Sequence, residues 1–184
     1  MTQYLAVTAM GTDRPGIVNQ LAKLTASCDC DIIDSRMATY GNEFSLIMLV
    51  AGSHSSITLM ETQLPSRAAE LDLLTITKRT SEHVAEQHIA RLAIEFIGED
   101  RRGTMKQITQ CIDDLGQDLG GMRTHAQEDP SGKALQQVEL FINVLEHADI
   151  DHIEQEMRNL GERLQLECRI RRMDINENNE LGNE

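Results

Sequence analysis

Aromatic residues are scarce in this chain. They make up 3% of its 184 residues, with no Trp, two Tyr and three Phe. A core must therefore be assembled from Leu, Ile, Val, Met and Ala, and a hydrophobic content of 40% suffices for one. Long apolar runs are missing as well. No stretch approaches the roughly 18 residues needed to span a bilayer, and no basic segment followed by an apolar run marks a signal peptide. Positive charge is in short supply: 17 Lys and Arg against 30 Asp and Glu leave a formal net charge of -13. Such a surface repels phosphate backbones and anionic lipid, so neither direct nucleic-acid binding nor membrane attachment is expected.

Catalytic and metal-binding signatures are absent too. There is no P-loop, no G-x-G-x-x-G and no nucleophile elbow. Of the four cysteines, only Cys28 and Cys30 are neighbours, and no second pair completes a zinc site. His54, His83, His88, His125, His147 and His152 show no ligand spacing. The expectation is a soluble cytoplasmic protein with reduced, largely buried thiols, no metal, no cofactor and no enzymatic activity.

An internal repeat is present. Gly11-Thr12-Asp13-Arg14-Pro15-Gly16 returns as Gly98-Glu99-Asp100-Arg101-Arg102-Gly103, an offset of 87 residues. At that offset Leu5 falls on Leu92, Ala6 on Ala93, Gln20 on Gln107, Asp31 on Asp118 and Arg36 on Arg123. These and the four loop matches are far more than the about two that chance would give. Further along the offset grows to about 93, the extra residues fitting a longer hairpin around Glu128-Asp129-Pro130-Ser131-Gly132. The chain therefore reads as two copies of one unit, residues 1–82 and 88–174, joined by the polar stretch Thr80 to Gln87 and followed by an acidic, unstructured tail over 175–184.

Periodicity gives the elements of one copy. Residues 3–10 form an apolar strand, and Asp13 with Pro15 opens a helix whose face is Ile17, Leu21, Leu24 and Cys28. Strands over 31–39 and 43–51 flank the turn Tyr40-Gly41-Asn42. Ile57, Met60 and Leu64 mark a second helix that stops near Pro65, before a last strand over 73–79. Copy two repeats this as strand 89–97, helix 104–115, strands 119–127 and 135–145, helix 150–164 and strand 166–173. The fold class is α+β: two tandem ferredoxin-like βαββαβ domains, each a four-stranded antiparallel sheet with two helices on one face. The other sheet face must meet a second domain, a second chain or water, and a homo-oligomer or paired domains are expected.

The duplicated loop lies between first strand and first helix. Free amides at a helix N-terminus bind anions, carboxylates included. Gly16 and Gly103 let a ligand approach the backbone, Asp13 and Asp100 can pair with an ammonium, and Arg14 and Arg101 can assist a carboxylate. A free amino acid carries both charges. Structural roles account for the same residues: Asp13 as a helix cap, Gly16 as a packing glycine, Arg14 as a solvated side chain, Asp31 and Asp118 as polar strand ends. Arg36 shares a strand face with Ile32 and Asp34 by alternation, and an Asp34–Arg36 surface pair explains it. Arg169, Arg171 and Arg172 read as charges protecting an edge strand.

The segments V-T-A-M-G-T-D-R-P-G-I-V (7–18), D-I-I-D-S-R (31–36), E-F-S-L-I-M-L-V-A-G-S (43–53) and A-E-L-D-L-L-T-I-T-K-R-T (69–80) together resemble the glycine cleavage system transcriptional repressors, which are tandem ACT-domain proteins. The likeness is dense in copy one and looser in copy two. It implies a non-catalytic regulator without a DNA-binding domain, which represses by contacting a LysR-type activator and is relieved by glycine or another small amino acid. It implies a ligand site at Asp13, Arg14, Gly16 and Ile17, closed by Asp31 and Ile32 of a partner domain, with Asp100, Arg101, Gly103, Thr104 and Asp118 as the counterparts in copy two. Copy two departs from the pattern at Arg102, where Pro is expected, and at Thr104. A rival reading is an amino-acid-binding regulatory subunit of a metabolic enzyme, since ACT domains also resemble such modules.

Overall fold

Alternation builds the first strand. Along β1 (Gln3–Thr12), Leu5, Val7 and Ala9 are fully buried, while the residues between them stay partly exposed. A helix α1 (Ile17–Ser27) follows, burying Ile17, Leu21 and Leu24 at helical spacing. Then come β2 (Cys30–Tyr40), β3 (Glu43–Gly52), α2 (His54–Glu70) and β4 (Leu73–Thr80). The same order recurs as β5 (His88–Glu99), α3 (Thr104–Asp114), β6 (Asp118–Glu128), β7 (Ala134–Leu145), α4 (Ile150–Leu164) and β8 (Glu167–Met173). This computed structural model describes residues 2–81, 88–99, 101–128, 132 and 134–173. The expected linker beyond Ser81 and the expected tail lie outside the described residues, as does most of the hairpin tip.

The chain divides into two units, Met1–Val84 and Ala85–Glu184. Each is one four-stranded antiparallel sheet, ordered β2-β3-β1-β4 in the first and β6-β7-β5-β8 in the second. These are the two ferredoxin-like βαββαβ units of the sequence reading, with helices covering one sheet face. Beneath α1 and α2 lie Leu5, Val7, Phe44, Leu46, Met48 and Val50. Beneath α3 and α4 lie Leu92, Ile94, Phe96, Val138, Leu140 and Ile142. Each such side chain contributes ~1.5–3 kcal/mol by leaving water.

The two cores fill the same space differently. Ala9 and Ala68 are both buried in the first core; their counterparts by the repeat are Phe96 and Gly161, and a Cβ on Gly161 would stand 2.8 Å from Cys168 Cβ and 3.2 Å from the Leu166 carbonyl oxygen. Gly161 is therefore required by the close approach of β8 and the corner before it, not by the aromatic ring, which a Cβ would meet at an ordinary 3.5 Å.

Three local expectations are corrected. The helix α2 does not stop at Pro65 but continues to Glu70. Its buried stripe Ile57, Met60, Leu64 runs on to Ala68, and this packing outweighs the hydrogen bond that Pro cannot donate. The helix α1 does not open at Asp13; its N-cap is Gly16. Ile32 does not share a face with Asp34 and Arg36. A β-bulge between Ile32 and Asp34 sets Ile32 opposite buried Val50, and sets Asp34 and Arg36 opposite Leu49 and Ile47 on the helix-free face. Asp34 and Arg36 form no ion pair with each other.

The helix-free faces of the two sheets differ in chemistry. In the first unit one cross-strand row reads Arg36, Ile47, Thr8, Ile76, and a neighbouring row reads Ala38, Ser45, Met10, Leu74. Ile47, Ile76 and Leu74 are 56%, 72% and 77% exposed. In the second unit the row matching the first of these is Arg123, Glu139, Glu95, Arg169. There Arg169 pairs with Glu95 at 3.3 Å, and Gln137 donates to Glu95 at 2.6 Å.

Candidate functional site

The duplicated loop leaves β1 at Thr12 and enters α1 through Gly16. Its backbone is tied to the β2–β3 turn, where the Asp13 amide donates to the Asn42 carbonyl at 2.9 Å. Gly16 holds φ 92°, a left-handed conformation open to glycine at little cost, and a Cβ there would meet no atom within 4 Å. No side chain caps α1. Asp13 therefore does not serve as the helix cap, because the chain turns at Gly16, three residues later. Its carboxylate is exposed and makes no ion pair or hydrogen bond among the described residues. Ile17 is buried and anchors the first turn to the core.

Arg14 is not a solvated side chain. Its guanidinium donates to the Leu71 carbonyl, latching the loop to the α2–β4 corner. Close approach at this corner is built in, since a Cβ on Gly11 would come within 2.6 Å of the Asp72 carbonyl oxygen. Copy two keeps the latch with different atoms. Arg101 donates to Gln165 Oε1 at 2.9 Å and pairs with Glu99 at 3.1 Å. Gly103 repeats the left-handed turn at φ 88°. Thr104, in place of Ile17, is buried, and its hydroxyl donates to the Arg101 carbonyl at 2.8 Å. That bond satisfies the one polar atom which the substitution adds to the interior. Asp100 lies outside the described residues.

Asp31 and Ile32 are at the far end of the sheet from the loop of their own unit. Asp31 stands opposite Ala51, whereas Asp13 joins Asn42, a separation of about 30 Å along β3. Within one unit, therefore, the predicted residues do not meet. Both Asp31 and Ile32 are exposed, on an edge strand whose outer backbone groups are unpaired in its own sheet. Asp118, the counterpart of Asp31, is engaged, its Oδ2 accepting from Asn143 Nδ2 at 3.0 Å.

Two features escaped the sequence reading. One is the Arg latch, whose partners lie 57 and 64 residues away; the repetition of Arg14 as Arg101 was its only trace. The other is an open groove of about 520 Å³ between α3 and α4, lined by Lys106, Cys111, Asp114, His152, Glu156 and Arg163. Burial, helped by the Glu156 carboxylate, pushes the Cys111 thiol up, so it stays protonated. Burial also raises Cys28 and Cys30, and raises Cys168 to about 11. None of these thiols is a poised nucleophile. Among the described residues no group of three or more His, Cys, Asp or Glu could hold a metal ion, and no helix is long and apolar enough to cross a membrane.

Comparison with known proteins now adds to this geometry. The ACT domain model matches residues 3–78. The glycine cleavage system transcriptional repressors of Escherichia coli (strain K12) and Shigella flexneri are each 34% identical over 181 residues, covering 96% of this chain and 94% of theirs. The crystal structure of a protein assigned as a glycine cleavage system transcriptional repressor superposes with a TM-score of 0.77 at 31% identity, covering 95% of this chain and 99% of that one. A protein of unknown role from Galdieria sulphuraria shares the fold, with a TM-score of 0.80 at 21% identity over 94% of this chain and 99% of its own. The chain, with its two βαββαβ units and its duplicated D-R loop, belongs to the glycine cleavage system transcriptional repressor family of ACT-domain proteins.

Proposed function

We propose that this protein is a non-catalytic, cytoplasmic regulator of the glycine cleavage system that senses glycine or another small amino acid and acts through protein contact rather than on DNA. The observation that carries the reading is the first loop. An uncapped helix start, an exposed unpaired Asp13 carboxylate and a cradle open at Gly16 lie together. First-turn amides suit the ligand carboxylate and Asp13 suits its ammonium. Arg14, committed to the Leu71 carbonyl, holds the loop in shape rather than reaching for ligand.

Closure of the site requires a second domain. If the β2 edge pairs antiparallel with an equivalent edge, the start of one strand comes beside the end of the other. Asp31 and Ile32 then lie next to the partner domain's Tyr40–Asn42 turn, to which its Asp13 loop is bonded. Ligand bridging the two domains stabilises that pairing over other arrangements, and the difference in ligand affinity between arrangements is the signal. In copy two Asp118 has a protein partner, which exposed Asp31 lacks among the described residues, and Thr104 replaces the apolar anchor, which favours ligand binding in copy one.

The net charge of -13 disfavours contact with an operator and favours a basic protein surface. On this reading the target is a LysR-type activator. The test is capture of that purified activator by the immobilised repressor. Retention without glycine and release with it supports the proposal, and no retention in either condition contradicts it.

A further inference from the structure

We infer that the helix-free face of the first sheet is a self-docking surface, which joins two copies of this chain face to face through their first units. It is mainly apolar, with Ile47 and Leu49 on β3, Ala6 and Met10 on β1, and Leu74 and Ile76 on β4, interrupted by the small polar side chains of Thr8 and Ser45 and bordered by Arg36 on β2. An exposed apolar patch rimmed by charge is the signature of an interface.

The choice of a second copy as occupant rests on one row of the register. Asp34 on β2, Leu49 on β3, Ala6 on β1 and Lys78 on β4 stand side by side across the sheet. The row is apolar in the middle, acidic at one edge and basic at the other. A two-fold axis parallel to the strands lays β2 of one copy over β4 of its partner, so Asp34 meets the partner's Lys78 at both edges and the apolar centres meet between them. This is the isologous matching that a two-fold interface demands. Neither Asp34 nor Lys78 has an ion-pair partner among the described residues. The strands of the two copies then run alongside each other, as in aligned sheet packing with its angle of about 30°. The long Lys78 stem spans the offset which that angle creates at the sheet edge.

The size of the face is adequate for a reversible dimer. Four strands over the eight paired registers of β1 and β4 make a face of ~500 Å², or about 1,000 Å² for both copies, at the lower end of specific interfaces. The second sheet is unlike it at the matching row, because Glu95, Glu139 and Arg169 take the places of Thr8, Ile47 and Ile76, and Arg169 pairs with Glu95.

Sedimentation equilibrium on the full chain tests this. The wild type should be a dimer with a Kd in the micromolar range, and Ile76→Lys should raise that Kd at least tenfold with an unchanged far-UV spectrum, since Ile76 is exposed, outside the core and at the far end of its row from Arg36, so the two-fold sets the new ammonium against the partner's Arg36. Asp34→Lys and Lys78→Asp should each weaken the dimer several-fold, and the double exchange should restore it. A chain that stays monomeric up to millimolar concentration overturns the proposal. So does a dimer indifferent to Ile76→Lys, or a double exchange that restores nothing.

Discussion

The two units share one topology and one loop, yet they spend their outer sheet faces in opposite ways. The first leaves Ile47, Ile76 and Leu74 in water, and the second covers the matching ground with an Arg–Glu network. Their loops diverge in parallel. The first latches Arg14 to the Leu71 carbonyl, and the second closes Arg101 onto Glu99 and Gln165. Duplication preserved the elements that build the sheet, while the positions free of that duty took on separate tasks. The difference teaches that exposure of an apolar row is not a cost of this fold, since the same fold accepts a charged row at the same place.

The largest effect is expected in the core. Phe96→Ala should destabilise the second unit by ~3–5 kcal/mol, because it leaves a cavity where a fully buried ring stood. Adding Gly161→Ala should recover none of that loss, since the new Cβ would still stand 2.8 Å from Cys168 Cβ and 3.2 Å from the Leu166 carbonyl oxygen. Denaturant melts of the two variants check both. If Phe96→Ala alone costs no more than a surface change, the ring does not carry the second core.

The strand–corner glycines give a smaller contrast. Gly11→Ala drives a Cβ onto a backbone carbonyl that cannot move far, whereas Gly98→Ala meets first the flexible end of Leu166. Costs of ~2–3 and ~1 kcal/mol are expected, measured as shifts of the denaturation midpoint. Equal costs would mean that the two corners are equally rigid.

The smallest effect is one of pH. Burial raises the Cys168 thiol to about 11, while an unfolded thiol ionises near its ordinary value of about 9. A raised pKa in the folded state gives a stabilising contribution that is full below the unfolded value and lost as pH climbs through the folded one. Stability should therefore decline between about pH 9 and 11, and Cys168→Ala should flatten that decline in melts taken across the range.

Much of the fold was legible because hydrophobic period changes from two to 3.6 at each junction and does so twice. Leu5, Val7 and Ala9, then Ile17, Leu21 and Leu24, are enough to place β1 and α1. The loop was legible through its repetition. What escaped depends on contacts between distant residues. The Arg14–Leu71 latch has no local signal, and Ala68 decides that α2 continues past Pro65 only once the sheet beneath it exists. The bulge between Ile32 and Asp34 has no local signal, since either Ile32 or Ile33, flanked by Asp31 and Asp34, could take the inward place. For the same reason, the chemistry of the outer faces emerged only when the register did.

The central claim is that the first loop, and not the second, receives an amino acid. Calorimetric titration of glycine into the wild type, Asp13→Ala and Asp100→Ala tests it most directly. The account predicts glycine binding in the wild type and in Asp100→Ala, and its loss in Asp13→Ala. Binding that survives Asp13→Ala, or that disappears only in Asp100→Ala, would contradict it.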